Sequence, residues 1–389
     1  MGVGVTAAVW GEINNPFTRL EDVSWICGKV SESLQCGCKP LHNPVMASRL
    51  EDIARQAGVS KATVSRVLNE QPGVSPATRR TVMTALAVLG YDRPSRLRPR
   101  SSGLIGLIVA ELQNPVFPAF AQVIETALSR HGYTAVLCTQ TPEGAGEDEY
   151  VGMLLDRGVS GIIFVSGLHA DLTIDRTRYE DLKRQKLPMV FVNGHLPGLG
   201  ITTLSCDDVA SGRIATGHLA GLGHRRIGFI SGPMRYSTVQ RRLAGYRATM
   251  RELLGSSPDD LIELAPFDVE GGHTAAAALL SQGATALVCG SDMMALGAIR
   301  AARRLGLRVP EDVSVVGADD SPLMTFTDPP LTTVRQPAQN IGRAAVRTIT
   351  DEIKGLVSKP AEYLFEPELV VRSSTRLRPH GTEPPPPVR

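Results

Sequence analysis

Leu50 to Asn69 reads LEDIARQAGVSKATVSRVLN, and the spacing of this stretch decides what the rest of the chain has to explain. Leu50, Ile53, Ala54 and Ala57 fall at i, i+3, i+4 and i+7, so one face of a helix is apolar. Gly58 ends that helix, because glycine enters the left-handed region at little steric cost. Val59 follows, and Ser60 stands where an N-cap hydroxyl would open a second helix. Val64, Val67 and Leu68 give the second helix an inward face and leave Lys61, Ala62, Ser65, Arg66 and Asn69 pointing elsewhere. Two short helices, a tight turn and a basic outer face of small residues describe a helix-turn-helix that reads DNA. An αα-hairpin inside a helical core has the same spacing, so the surroundings must decide between the two.

The surroundings are basic. Residues 46–103 hold ten Lys/Arg against four Asp/Glu, a local charge of +6 on a 389-residue chain whose net charge is only +2. A basic segment on a near-neutral body calls for a polyanion partner of that segment alone. Cys138, Cys206 and Cys289 sit in apolar runs and read as small core hydrophobes. Cys27, Cys36, Cys38 and His42 lack a standard zinc spacing, so no metal or other cofactor is expected. With no export signal and no apolar run of membrane length, a cytoplasmic protein is expected, associated with the nucleoid.

Residues 1–45 show no sustained period and read as a disordered extension. Met46 reads as the true start, with Ser48 as N-cap of the first helix. A peptide from before Met46 in mass spectra of the native protein would overturn that start. After the helix-turn-helix, Ser75-Pro76 caps a third helix whose buried face is Val82, Ala85, Leu86 and Leu89. Residues 46–91 thus form an all-α head. Residues 92–103, DRPSRLRPRSSG, read as a hinge or linker.

From Leu104 the pattern changes. Short apolar runs at 104–109, 134–138, 161–165, 189–192, 227–230, 286–289 and 313–317 alternate with helical stretches. Alternation of that kind implies βαβ units and doubly wound parallel sheets, with ligands at the carboxyl ends of the strands. A further helix at 338–354 and late strands at 363–371 follow, and residues 379–389 read as a disordered tail. No G-x-S-x-G, H-E-x-x-H, P-loop or strand-linked G-x-G-x-x-G occurs, so no catalytic residues are assigned and an enzyme is not expected.

Taken in order, residues 53–69, Leu222-Gly-His-Arg-Arg-Ile-Gly-Phe-Ile230, Arg242-Leu-Ala-Gly-Tyr246, Ser291-Asp-Met-Met-Ala-Leu-Gly297, Ser314-Val-Val-Gly-Ala-Asp-Asp320 and Pro330-Leu-Thr-Thr-Val334 resemble the LacI family of bacterial transcription regulators. The resemblance spans about Met46 to Arg378. It implies a DNA-binding head, a hinge, and a two-lobed, periplasmic-binding-protein-like α/β core (residues 104–378). By resemblance the lobes comprise about 104–224 with 336–358, and 225–335 with 359–378. It also implies a repressor that binds a near-palindromic operator as a homodimer, with a tetramer as the alternative, and a sugar-like effector in the interlobe cleft.

Carried over by position, Lys61, Ala62 and Arg66 face base edges, while Ser60, Thr63 and Asn69 set register on phosphates. Leu97, flanked by Arg96 and Arg98, matches the hinge leucine that wedges into the minor groove. Pro99 and a short spacing leave a flexible arginine arm as the equal alternative. The effector residues implied are Phe117, Arg242, Ser291, Asp292 and Asp319, where Ser291 replaces the asparagine common in the family. Control by a protein partner, or by none, is the alternative to a small-molecule effector. A solute-binding protein is the remote one.

Overall fold

The computed structural model describes residues 44–68, 71–89, 102–140, 145–255, 259–356 and 359–378. The chain divides into two compact units, one ending at Arg98 and one beginning at Pro99.

The first unit contains α1 (Pro44–Ala57), α2 (Lys61–Leu68) and α3 (Pro76–Val88). Ile53, Ala54, Ala57, Val64, Val67, Val82, Ala85 and Leu86 form its core, which is the set the periodicity marks out together with Leu50, Leu68 and Leu89 packed against it. Gly58 has φ +63° and turns the chain between the first two helices. Ser60 Oγ accepts from Thr63 N at 3.1 Å, and Ser75 Oγ accepts from Thr78 N at 3.1 Å, so both expected caps form. Ser48 does not cap. The helix already starts at Pro44, and proline suits a first helical position because its missing N–H has no partner there anyway. Replacing Ser60 by alanine should cost the head about 1 kcal/mol, read from its thermal unfolding.

The second unit holds two sheets. The first takes β1 (Gly103–Val109), β2 (Tyr133–Thr139), β3 (Gly161–Val165), β4 (Met189–Val192) and β5 (Thr202–Cys206), with α4 (Val116–Arg130), α5 (Glu147–Asp156) and α6 (Thr177–Arg184) between them. The chain then crosses to the second sheet. There it forms α7 (Asp208–Gly221), β6 (Ile227–Ser231), α8 (Ser237–Leu254), β7 (Ile262–Leu264), α9 (Val269–Ser281), β8 (Ala286–Cys289), α10 (Asp292–Arg304), β9 (Ser314–Asp319) and β10 (Thr332–Arg335). It returns to the first for α11 (Ala338–Ile353) and β11 (Glu362–Phe365), and crosses a third time to β12 (Glu368–Val370). Strand order is β11-β5-β4-β3-β1-β2 in one sheet and β12-β10-β9-β8-β6-β7 in the other. All pairings are parallel except β10 with β12.

Two lobe boundaries move. Helix α7 packs on α8, so residues 208–224 belong to the second lobe rather than the first. Strand β11 pairs with β5, Glu362 opposite Thr203, so the stretch expected in the second lobe from 359 extends the first as far as Phe365. The α7–α8 contact depends on glycine. A Cβ on Gly212 would stand 2.1 Å from the Arg242 carbonyl oxygen, and one on Gly245 would stand 2.1 Å from that of Val209.

His224, in the Leu222-Gly-His stretch, anchors the segment at Arg376 to the second lobe. Its Nδ1 lies 3.1 Å from Thr285 Oγ1 and its Nε2 lies 3.0 Å from Ser314 Oγ and 3.3 Å from the Arg376 carbonyl. Burial lowers its pKa to about 4. An unfolded histidine titrates near 6.5, so between these values the unfolded chain binds the extra proton and stability falls as the pH falls. Urea unfolding of the core from pH 7 to 4 should show that loss, to which the buried His169, likewise lowered to about 4, also contributes, and His224→Gln should reduce it.

Candidate nucleic-acid interface and ligand cleft

Within the head, Val64 and Val67 are fully buried and fix which side of α2 turns outward. Lys61, Ala62 and Arg66 all lie on the exposed side. Ser60 Oγ and Thr63 Oγ1 are 2.9 Å apart, so the two hydroxyls expected at phosphates engage each other first. Lys61 Nζ lies 2.8 Å from Glu51 Oε1 on α1. Hydrogen bonding and attraction from Lys61 hold the Glu51 carboxyl below its ordinary pKa. Asn69, Arg96, Leu97 and Arg98 lie outside the described residues, as do Cys27, Cys36, Cys38 and His42.

Within the second unit, a cavity of about 450 Å³ opens at the carboxyl ends of both sheets. That is where parallel strands release the chain into loops and helix N-termini meet, and it is in the range of small-molecule sites. Phe117, Arg242, Ser291 and Asp319 all line it, so four of the five expected effector residues are brought together. Three wall residues just past strand ends or at them carry positive φ, Ser166 at 51°, Asn193 at 54° and Asp319 at 111°. Non-glycine residues held there store strain, which surrounding structure must over-determine.

At Asp319 that structure is a polar relay across the lobes. Gln336 Nε2 donates to Asp319 Oδ1 at 2.6 Å, and Asn193 Nδ2 donates to Gln336 Oε1 at 2.9 Å. Cys206 N donates to Asn193 Oδ1 at 3.3 Å. Asn114 Nδ2 stands 3.5 Å from the other Asp319 oxygen. Burial raises the Asp319 carboxyl to about 6, against the opposing pull of Arg242. Arg242 itself donates from Nε to Asp208 Oδ1 at 2.7 Å and from a terminal nitrogen to the Gly290 carbonyl at 2.6 Å. Burial works against its charge, and the carboxylates of Asp208 and Asp319 outweigh burial and keep it protonated. Arg242 is therefore both a wall of the cavity and half of an ion pair.

Asp292 is a correction. It faces away from the cavity, its Oδ1 accepting from Thr333 Oγ1 at 2.6 Å and its Oδ2 from Ser321 N at 2.7 Å. The first residue of a helix points back toward the preceding strand end, and Asp292 there ties α10 to β10 and to the loop after β9. Burial first, and then the Asp319 charge, raise its pKa to about 7. Ser291 remains in the wall, but its Oγ accepts from Met294 N at 3.2 Å as the cap of α10.

Sequence reasoning missed Tyr236, Phe267, Asn193, Gln140 and Gln336, all of which line the cavity. None of them belongs to a periodic pattern. Position just beyond a strand was the available signal for Asn193, Gln140 and Gln336. Tyr236 also sits at a contact between the lobes. Leu172 N donates to the Arg235 carbonyl at 2.9 Å, and Arg235 Nε lies 3.0 Å from Asp171 Oδ2.

Among the described residues no helix is long and apolar enough to cross a membrane. The family model for bacterial regulatory proteins of the lacI family matches residues 49–94, and that for a periplasmic binding protein-like domain matches residues 216–375. The HTH-type transcriptional regulator MalR of Streptomyces coelicolor is 57% identical over 86% of this chain and 98% of its own length. A transcriptional regulator CelR–cellobiose complex superposes with TM-score 0.63 at 34% identity, covering 84% of this chain and 99% of that one. The lac repressor dimer bound to operator and the anti-inducer ONPF superposes with TM-score 0.62 at 29% identity, covering 84% and 98%. Head, two-sheet core and relatives agree, and the chain belongs to the LacI family of DNA-binding transcriptional regulators.

Proposed function

We propose that the protein is a repressor that binds a near-palindromic operator as a homodimer and is switched by a sugar in the interlobe cleft. One observation carries the effector half of this reading. A 450 Å³ cavity presents Arg242, Asp319, Asn193 and Gln336 beside Phe117, Tyr236 and Phe267. Paired charged and amide groups suit hydroxyls, and aromatic walls suit the apolar faces of a sugar ring. The cellobiose held by the related regulator and the operator held by the lac repressor dimer support both halves.

In this reading Arg66 forks onto a guanine, Lys61 and Ala62 contact neighbouring base edges, and Ser60, Thr63 and Asn69 position the backbone. Arg242 and Asp319 hold ligand hydroxyls, Ser291 offers its hydroxyl proton, and Phe117 packs against a ring. The head acts at the nucleoid, the hinge carries Leu97 with Arg96 and Arg98 to the minor groove, and no catalytic step is involved. A ligand shifts operator affinity only by the difference in its own affinity for the two lobe arrangements.

Selection of duplexes from a random pool by the full chain, repeated with mono- and disaccharides present, tests both halves. A two-fold symmetric consensus whose affinity changes with one sugar class is expected. No consensus would overturn the DNA reading, and a consensus unmoved by any sugar would overturn the effector reading.

A further inference from the structure

The geometry points to Glu51 as a specificity-determining residue of the head, one that tethers Lys61 and so confines it to base edges. Glu51 acts through Lys61 and is a positioning residue. The inference rests on the reading of α2 as the DNA-reading helix.

Lysine is a poor base reader when free. Its ammonium is a point charge on a flexible four-carbon stem, without the planar fork that matches arginine to guanine. Phosphates are the strongest attractor near any duplex, and a loose lysine gains as much from one phosphate as from another. Lys61 is the first residue of α2, and its side chain is 55% exposed. At that position a free stem would sweep across the backbone edge of a groove.

Glu51 removes that freedom. It lies on α1, a different helix, directly after the apolar residue Leu50 that packs against the head core. Its carboxylate is therefore fixed to the scaffold at one end and meets Lys61 Nζ at 2.8 Å at the other. The ammonium keeps its remaining N–H donors for a base acceptor, within a reach set by the carboxylate. A lysine that left this carboxylate for a phosphate would leave it unneutralised beside a polyanion. An exposed pair of this kind adds little to stability. Its effect falls on discrimination between sequences. The head carries other exposed pairs, such as Arg55 with Asp52 at 3.5 Å, but that pair lies within α1 and leaves α2 untouched.

A double-mutant cycle on the full chain tests this. The probes are a duplex selected by the protein from a random pool, the same duplex carrying each single base-pair substitution, and a random-sequence duplex. Glu51→Gln should bind the random duplex more tightly and steepen the plot of log affinity against log salt by about 0.9, the contribution of one further phosphate contact. It should lower discrimination about three- to tenfold at the base pair read by Lys61, with other positions unchanged. That base pair is the one at which Lys61→Ala loses discrimination. In the Lys61→Ala background, Glu51→Gln should leave discrimination as it finds it, whereas with Lys61 present Glu51→Asp should keep part of the discrimination that Glu51→Gln loses. Unchanged discrimination in Glu51→Gln, or the same change with and without Lys61, overturns the tether. So does an equal loss for selected and random duplexes with a lowered melting temperature, which marks a merely structural role. Failure to select any duplex overturns the DNA reading itself and is separable from all of these.

Discussion

Arg242→Ala is expected to cost the core about 3–5 kcal/mol, because it strips the partner from a buried carboxylate. The Arg242 and Asp208 side chains are only 12% and 3% exposed, and the pair closes at 2.7 Å. Burial already raises the Asp208 carboxyl, with Arg242 opposing that rise. Without the guanidinium, Asp208 must take up a proton or stay charged in a low-dielectric site. A carboxyl whose folded pKa is raised stabilises the fold below that pKa relative to above it, so the loss should grow as the pH rises. Urea unfolding across pH measures it. The double variant Asp208→Asn with Arg242→Met should recover part of the loss, since it removes the unpaired Asp208 charge, while the buried Asp319 still loses the opposing pull of Arg242. A single-variant loss below about 1 kcal/mol would show that the pair carries no structural weight. Response of operator binding to sugar should vanish in both variants, which separates the ligand role from the structural one.

Arg66→Ala should weaken binding to the selected operator by about 10- to 100-fold, and the loss should be confined to one base pair. A bidentate guanidinium on guanine discriminates by roughly 1–3 kcal/mol, while a phosphate contact costs all sequences alike. Competition binding with each singly substituted operator reads the difference. The variant should bind the wild-type operator and the version substituted at the Arg66 position equally well. A uniform loss across every sequence would move Arg66 to the backbone-contacting group with Thr63.

The head was legible because its signals are local. A stripe at i, i+3, i+4 and i+7, a glycine and two cap serines are each read within one turn, and each has its counterpart in contacts within α1, α2 and α3. Apolar strands such as GIIFV and MVFV were legible for the same reason. Strand β5 was not, because Thr202, Thr203 and Ser205 are buried hydroxyl residues whose acceptance into the core depends on distant partners. Ser205 Oγ, for example, accepts from Gly194 N at 3.3 Å. The cleft was half legible. Arg242, Ser291, Asp319 and Phe117 came through the family resemblance, but Gln336 matters through bonds to residues 17 and 143 positions away, which no window contains. Asp292 misled because adjacency to Ser291 in sequence says nothing about which way the first residue of a helix turns.

The three crossings also set an order of birth. Neither sheet is complete until the last quarter of the chain has been made: the first waits for α11 and β11, the second for β12 and for Ser374, whose Oγ donates to the Val315 carbonyl at 2.6 Å and accepts from Thr332 N at 2.8 Å. The head, by contrast, is one contiguous stretch with its whole core between Ile53 and Leu86. During synthesis, where N-terminal domains fold first, it can close while the core is still emerging. A ribosome stalled within β10 would therefore display a finished reader of DNA attached to a sensor that cannot yet answer to anything.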